Sequence, residues 1–507
     1  MQIERNKNYN ISLPAVASVA FILICFIFQT NNSTIDAYGY AADIKYGENI
    51  FRPHHLLYNA LGYALSLIFI ESEPLVMMQT INALFALGCL WVLYAILRLL
   101  NFDIKFNRSA ILICASSFGL LRFATENEVY IIPLFFSLTG TFYFIRYQLQ
   151  KKISLAIYSS ILMGIAALFH QMHIIWLLVT AATFIISNRK NGVLYLLISS
   201  IIVAVVYFSI IIFYNHESLT IDSICRFVLY DYYSGEATST VGLSNFYLTG
   251  INFMRSFIQI HGNIYYLIKC NYIYIIPIAI CTFLLLVQIK KYIKYKSGGL
   301  QVDKPYPKTI KNYILSVFLA HLLFAFYAQG NAEFMVMLPF LAIIYLGFIL
   351  EKYHIDFRHT GMAIFVWNLS YALIPQTYDD LQNKEYLMKH YHKEDIYILQ
   401  QANLYKNMFY YSKHITYNNI YKTPSDYKGK NQKYYFLDSL IKHSNSLILT
   451  DAIGNQNIVT RKNLLSDDFD LKFFSNYNLI PFYTQKKSLD NYQLMQIENG
   501  KQENSNH

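Results

Sequence analysis

Charge is scarce in this chain. Asp, Glu, Lys and Arg together make 14% of its 507 residues, while 55% are apolar. A soluble protein of this length folds as roughly three domains of about 150 residues with about a quarter of its residues charged, so a soluble multidomain protein is excluded. Glycine (20) and proline (11) are too few for a collagen or a flexible low-complexity chain. Cysteine is sparse too. Cys25, Cys89, Cys114 and Cys281 lie inside apolar runs, and only Cys225 and Cys270 share a polar stretch, which excludes a disulfide-stapled scaffold. What the chain has instead is apolar bulk and rings: 45 Tyr and 37 Phe bring aromatics to 17%, with a mean hydropathy of +0.29. That excludes intrinsic disorder and predicts an all-α polytopic membrane protein.

The net charge of +10 would suit a nucleic-acid partner if the basic residues formed a stripe on a folded surface. They fall between apolar runs instead, so nucleic-acid binding is set aside. A helix needs about 20 apolar residues to cross a hydrocarbon core of about 30 Å. Eleven candidate spans lie near residues 11–29, 75–97, 109–121, 129–145, 153–169, 174–187, 193–214, 271–288, 313–328, 334–350 and 361–374. The first follows Arg5 and Lys7 and ends in QTNNST without a small-residue cleavage pattern, so it reads as a retained anchor with a cytoplasmic N-terminus.

LLYNALGYALSLIFI, residues 56–70, decides the orientation of everything after it. At about 1.5 Å per residue it reaches only about 22 Å. Asn59, Gly62, Tyr63 and Ser66 form a small, polar stripe along it. It is read as an interfacial helix within a first outer loop of residues 30–74. Arg98, Lys105, Arg108, Arg146, Lys151, Lys152, Arg189, Lys190, the run KKYIKYKSGGLQVDKPYPKTIK, Lys352 and Arg358 then all fall on the cytoplasmic side, as the positive-inside rule requires. Counting the segment as a span would put most of them outside. From Pro375 to His507 charges recur throughout and no spanning run occurs. Strand-like runs (DIYIL, SLILTD, IPFY, YQLMQI) alternate there with helix-like ones (LYKNMFYYSKH, YYFLDSLIKH). This predicts a small soluble α/β domain over 375–507, on the outer face, after a membrane domain of residues 1–374.

The same topology sends a set of ionisable residues to the outer membrane surface. Asp36 and Asp43 lie in the first outer loop, followed by Arg52, His54 and His55 in FRPHHLLY; Arg122, Glu126 and Glu128 lie in RFATENEVY, His170 and His173 in FHQMH, and Glu333 in AQGNAEF. Such groups are costly beside lipid unless they face water, a partner or a ligand, so their convergence from four loops predicts a site. Each also has a plainer reading. Asp36 is either an ordinary loop residue or, directly after the first span, a functional carboxylate; Asp43 is read as structural. Glu126 and Glu128, two apart, cannot share a helix face, whereas an extended turn presents both; Glu128 is the favoured one. His170 and His173 at i and i+3 share a helical face, yet histidines capping a span commonly just hydrogen-bond there. Glu333 precedes an apolar helix whose dipole alone would favour it. His54 and His55 follow Pro53 at the start of the interfacial helix, where a phosphate would meet helix N–H groups and an imidazolium together. Arg52 and Arg122 are planar donors suited to phosphate oxygens, although interfacial arginines also snorkel to headgroups. His321, in SVFLAHLLFAF, lies near mid-membrane and is read as a satisfied bundle histidine.

An acid just beyond the first span, an interfacial helix, a second acidic motif before the fourth span and a soluble C-terminal domain together resemble the GT-C superfamily of polytopic membrane glycosyltransferases. The likeness is to its protein O-mannosyltransferase and lipid A aminoarabinose transferase branch. It rests on TIDAYGYAADIKYGENIFRPHHLLY (34–58), TENEVYIIPLFF (125–136) and GNAEFMVMLPF (330–340), and covers much of the membrane part but little of the tail. The resemblance implies Asp36 as the catalytic carboxylate and Glu126 or Glu128 as the second acid. The Glu-Asn-Glu of the second motif and the histidine pair of the first loop depart from the family pattern. What it implies is a bacterial inner-membrane transferase, moving a sugar from a polyprenyl-phosphate donor to a glycan, lipid or protein acceptor on the periplasmic side.

The chemistry suits the placement, because the lipid tail holds the bond to be broken at headgroup level. Asp36 would take the proton of the acceptor hydroxyl as general base. Charge on the departing lipid phosphate would be met by Arg52, Arg122, a protonated His54 or His55, or a divalent cation (Mg or Mn). Glu128 and Glu333 would orient the acceptor or hold that cation. Direct displacement inverts the anomeric carbon. The rival reading is a transporter or flippase of lipid-linked sugars, which would place its ionisable site near the bilayer midplane, where only His321 lies. A membrane scaffold, the third reading, would leave Asp36 dispensable.

Overall fold

The computed structural model describes residues 15–234, 241–260, 263–296, 307–350, 356–378, 384–423, 432–451, 473–474, 477–486 and 491–499. Arg5, Lys7, the middle of the lysine run, Lys352 and the tail GKQENSNH lie outside them. In chain order the helices are α1 (Ala15–Ile27), α2 (Ile35–Tyr46), α3 (Leu56–Ser66), α4 (Pro74–Leu99), α5 (Ile104–Ser116), α6 (Phe118–Ala124), α7 (Ile131–Gln150), α8 (Ile153–Phe169), α9 (Ile174–Ser187) and α10 (Arg189–Ser209). They continue with α11 (Ile221–Val228), α12 (Tyr230–Tyr233), α13 (Leu243–Phe257), α14 (Asn263–Cys270), α15 (Ile276–Lys296), α16 (Lys308–Tyr327), α17 (Leu338–Leu350) and α18 (Arg358–Asn368). The last four are α19 (Ile374–Gln376), α20 (Lys384–His390), α21 (Ala402–Lys413) and α22 (Gln432–His443).

Every apolar segment picked out in the sequence contains helix where it is described, although the interfacial helix ends at Ser66 and residues 67–70 are turn and bend. Among the described residues, five helices suffice by length and composition to cross a membrane: α4, Arg189–Tyr214, Tyr272–Ile293, α16 and Ala332–Leu350. α5 and α6 make a sixth if taken as one span, bent by 55°. The bend falls at Ser117, whose backbone leaves the helix (ψ 138°) while its hydroxyl donates to Cys114 O at 2.7 Å, so the freed carbonyl keeps a partner. α1, α8 and His173–Ser187 are apolar but shorter.

The polar stretch between α10 and α15 contains α13, whose amphipathic sense is reversed. It buries Asn245, Thr249 and Ser256 and exposes Leu243, Phe246, Tyr247, Ile251 and Met254. Its polar side is tied inward: Asn245 Nδ2 donates to Phe326 O (2.7 Å) and Asn252 Nδ2 to Gly330 O (2.7 Å). That is the pattern of a helix with its apolar face toward hydrocarbon and its polar groups satisfied by protein.

The chain divides into two compact units. The first comprises residues 1–29, 47–260 and 276–373. Polar side chains between its helices are paired: Tyr313 Oη of α16 lies 3.0 Å from Thr141 Oγ1 of α7 and 3.0 Å from Thr180 Oγ1 of α9, and accepts from Trp176 Nε1 at 3.0 Å. The second comprises 30–46, 261–275 and 374–507. There α2 packs on α21, with Tyr46 Oη donating to Tyr411 O (2.8 Å) and Asn407 Nδ2 to Ile35 O (3.0 Å). A five-stranded sheet follows the order β2-β1-β3-β5-β4, with β1 at Ile396–Leu399, β2 at Ile420–Lys422, β3 at Ile448–Thr450, β4 at Tyr477–Lys486 and β5 at Asn491–Asn499. β1 runs parallel to β2 and β3, and β5 antiparallel to β3 and β4. Ile396 and Ile398 pack with Leu437 and Ile441 of α22. Tyr397, on the opposite face, meets Tyr391, which packs on Phe409 of α21. A helix thus covers each face of the parallel strands.

Candidate active site

The acidic motif forms a turn between α6 and α7, and both of its glutamates are buried. Asn82 of α4 fixes it: Nδ2 donates to Glu126 O (2.7 Å), Glu128 O (2.8 Å) and Tyr58 Oη (3.1 Å). Tyr58 Oη in turn donates to Asn127 Oδ1 at 2.8 Å. The backbone between α6 and α7 is turn and bend rather than helix, so Glu126 and Glu128 share the turn. Glu126 Oε1 accepts from Asn127 N at 2.9 Å, and its Oε2 lies 3.4 Å from Arg122 Nη2.

Glu333 comes to the same place from the far end of α16. Gly330 takes φ +70° to turn the chain, and Asn331 Oδ1 accepts from Glu333 N at 3.0 Å. Tyr130, at the start of α7, donates its hydroxyl to Glu333 Oε2 at 2.9 Å. Its ring centroid is 5.4 Å from that of His170, which is 6.4 Å from His55; His55 in turn meets His54 edge-on at 4.3 Å. The chain of contacts ends where His54 Nδ1 lies 3.3 Å from Asp231 Oδ1.

These imidazoles differ in what they can do. Burial, reinforced by the neighbouring His54, His170 and Arg52, holds His55 well below the ordinary histidine value. Burial, with His54 beside it and Asp231 opposing, pushes His170 down to about 3. Both are therefore neutral rings that pack, and His55 is no source of positive charge. His54, with Nδ1 3.3 Å from its carboxylate, holds Asp231 below the usual carboxylate value. With side chains 31% and 39% exposed, His54 and Asp231 are the open members of the group.

The sequence also paired His170 with His173, and the structure separates them. His170 has extended backbone (φ −159°, ψ 123°), and Gln171–His173 form a 3-10 turn, so helical i, i+3 spacing does not apply. His173 turns into the bundle, its Nδ1 2.7 Å from Ser137 Oγ and its ring 6.0 Å from that of His321. His321 is not the satisfied histidine expected: neither ring nitrogen has a hydrogen-bond partner among the described residues. Arg52 is half-buried and close enough to act on His55. Asp36 is exposed in the first turn of α2, where the helix dipole favours an acid, and Asp43 is buried in the same helix; both belong to the second unit. Among the described residues no group of three or more His, Cys, Asp or Glu side chains is placed to hold a metal ion, so no step is routed through one. Asn82, Tyr58, Tyr130, Gln171 and Asp231 carried no sequence signal, the first four being neutral residues in ordinary contexts and the last one acid in a long polar stretch.

Fold and site define a class, the polytopic α-helical membrane proteins that carry an appended α/β domain. No protein-family model matches the chain, and no curated protein matches it. Among solved structures it is similar to ArnT from Cupriavidus metallidurans bound to undecaprenyl phosphate, with a TM-score of 0.55 and 11% identity over 95% of this chain and 97% of that one. The apo state of that ArnT gives a TM-score of 0.42 and 10% identity over the same shares. The likeness is one of fold.

Proposed function

We propose that this chain is a membrane glycosyltransferase that moves a sugar from a polyprenyl-phosphate donor to an acceptor at the extracytoplasmic face of a bacterial inner membrane. The observation that carries the reading is the cluster itself. Arg52, His54 with Asp231, Arg122 with Glu126, Glu128, and Tyr130 with Glu333 come from distant stretches of sequence. They do so on a fold that, in ArnT, has been crystallised with undecaprenyl phosphate.

In this reading Asp36, matched by resemblance to the family's first-loop acid, deprotonates the acceptor hydroxyl, an effect worth about 100- to 10,000-fold in rate. Arg52 and His54 meet the departing phosphate, and Arg122 contributes the part of its charge that Glu126 leaves uncompensated. Glu128 and Glu333 orient the acceptor, Glu333 with one oxygen already engaged by Tyr130. The test is mass spectrometry of glycans and lipids from cells with and without the chain, followed by transfer in proteoliposomes. A sugar lost from one product names donor class and acceptor together, and identical profiles would remove the reading. A flippase of lipid-linked sugars is the second reading, favoured by the buried His173–His321 pair, and predicts lipid translocation in proteoliposomes without any transfer.

A further inference from the structure

The turn that carries His54 and His55 is held by Gln171, the neutral residue between the two histidines of FHQMH. Gln171 donates its backbone N–H to His54 O at 2.9 Å. Its Nε2 donates to Pro53 O (3.0 Å), Tyr207 Oη (2.8 Å) and Val228 O (3.0 Å), and Tyr207 Oη donates to Pro53 O at 2.8 Å. One amide therefore joins the turn before α3 to the end of α11. α12 follows at once and carries Asp231, which brings Asp231 Oδ1 to 3.3 Å from His54 Nδ1.

We infer that Gln171 and Asp231 are positioning residues for His54. Gln171 fixes the two backbone segments, and Asp231 accepts the Nδ1 proton, so that Nε2 is left to meet the phosphate of a lipid-linked donor. The identity of that ligand rests on the function proposed above; the positioning does not. A carboxylate on one ring nitrogen fixes both the orientation of an imidazole and its tautomer. Of the three imidazoles in the cluster, His54 is the open one. The side chain of His54 is 31% exposed, whereas His55 and His170 are at 0% and 8% and turn toward protein. At 3.3 Å the two atoms make an ion-pair contact without the alignment of a hydrogen bond, and catalytic contacts of this kind often tighten only when ligand binds. The other acids near α11 are engaged elsewhere, Asp222 and Glu217 both on Arg226.

The test uses the full-length protein in nanodiscs with 15N-labelled histidine, read at about pH 9 where ordinary imidazoles are neutral. The His54 signal is assigned by its loss in His54→Asn. Wild type should show the proton on Nδ1. Asp231→Asn and Gln171→Ala should both move it toward Nε2, the form that predominates in free imidazole side chains, and Asp231→Glu should restore the wild-type pattern. Native mass spectrometry with undecaprenyl phosphate, against undecaprenol, then reads the ligand. Asp231→Asn should weaken the phosphate lipid about tenfold or more and leave the alcohol unchanged. An unchanged tautomer in Asp231→Asn overturns the inference, even if binding falls, because loss of binding alone would then be structural. A tautomer that switches in a wild type that binds neither lipid upholds the positioning and overturns the proposed donor. Asp231 is 39% exposed, so its variants are expected to unfold within a few degrees of wild type.

Discussion

Replacing Asn82 by aspartate keeps the shape of the side chain and reverses its hydrogen bonding. In the native protein two amide hydrogens serve three acceptors, at 2.7, 2.8 and 3.1 Å, in a fully buried position. A carboxylate would face the same three oxygens with nothing to donate. Each buried acceptor left unpaired costs about 1–3 kcal/mol, and two hydrogens make at most two full-strength bonds. Asn82→Asp should therefore cost about 2–6 kcal/mol, before the added repulsion between the carboxylate and the carbonyls of Glu126 and Glu128. The acidic turn should open, so sugar transfer should fall by more than the loss of folded protein explains. Thermal unfolding in detergent, paired with transfer per folded molecule in proteoliposomes, separates the two effects. An unfolding midpoint equal to wild type, with full transfer, would refute the reasoning that one amide holds both glutamates.

Gly330→Ala should destabilise by about 2–4 kcal/mol, because αL backbone is strained for alanine and overpacking adds to it. The new Cβ would stand 2.6 Å from Thr249 N and 2.7 Å from Leu248 C, backbone atoms that cannot swing aside; an unchanged melting temperature would contradict this. Tyr130→Phe removes a single bond to a carboxylate and should cost about 1.5–3 kcal/mol, with transfer reduced and no compensating change in protein level. Asp451 is held by burial at a pKa of about 6, above the ordinary 3.8, with the N–H of Gln400 opposing. The native state thus binds this proton more tightly than the unfolded chain. Stability is full below pH 4 and falls as pH rises through about 6, by up to about 3 kcal/mol. Hydrogen exchange at β1 and β3 should report that loss between pH 4 and 7, and Asp451→Asn should flatten it.

The parts legible in the sequence are those set by runs of one character. Apolar segments gave the helices, and short strand-like runs gave β1, β3, β4 and β5, whereas β2, at Ile420–Lys422, was too short to stand out. α13 stayed hidden because its buried side is polar: Asn245, Thr249 and Asn252 on that side interrupt the sequence, so no long apolar run forms. The convergence of Arg122, Glu126, Glu128, Glu333, His54, His55 and His170 was readable from topology, since each sits at a helix end. The parting of His170 from His173 was not, because one extended residue resets the helical phase. Nor were the residues that hold the site. Asn82, Gln171 and Tyr130 work through backbone carbonyls and one carboxylate, partners that only the fold brings near.

The central claim is that an acid directly after the first span is the base of a lipid-phosphate sugar transfer. Asp36→Asn tests it most directly, since the residue is exposed and the change is close to isosteric. Reconstituted with the glycolipid donor identified from cells, the variant should insert, unfold at the wild-type temperature and lose transfer by about 100-fold or more. Transfer at the wild-type rate would contradict the account.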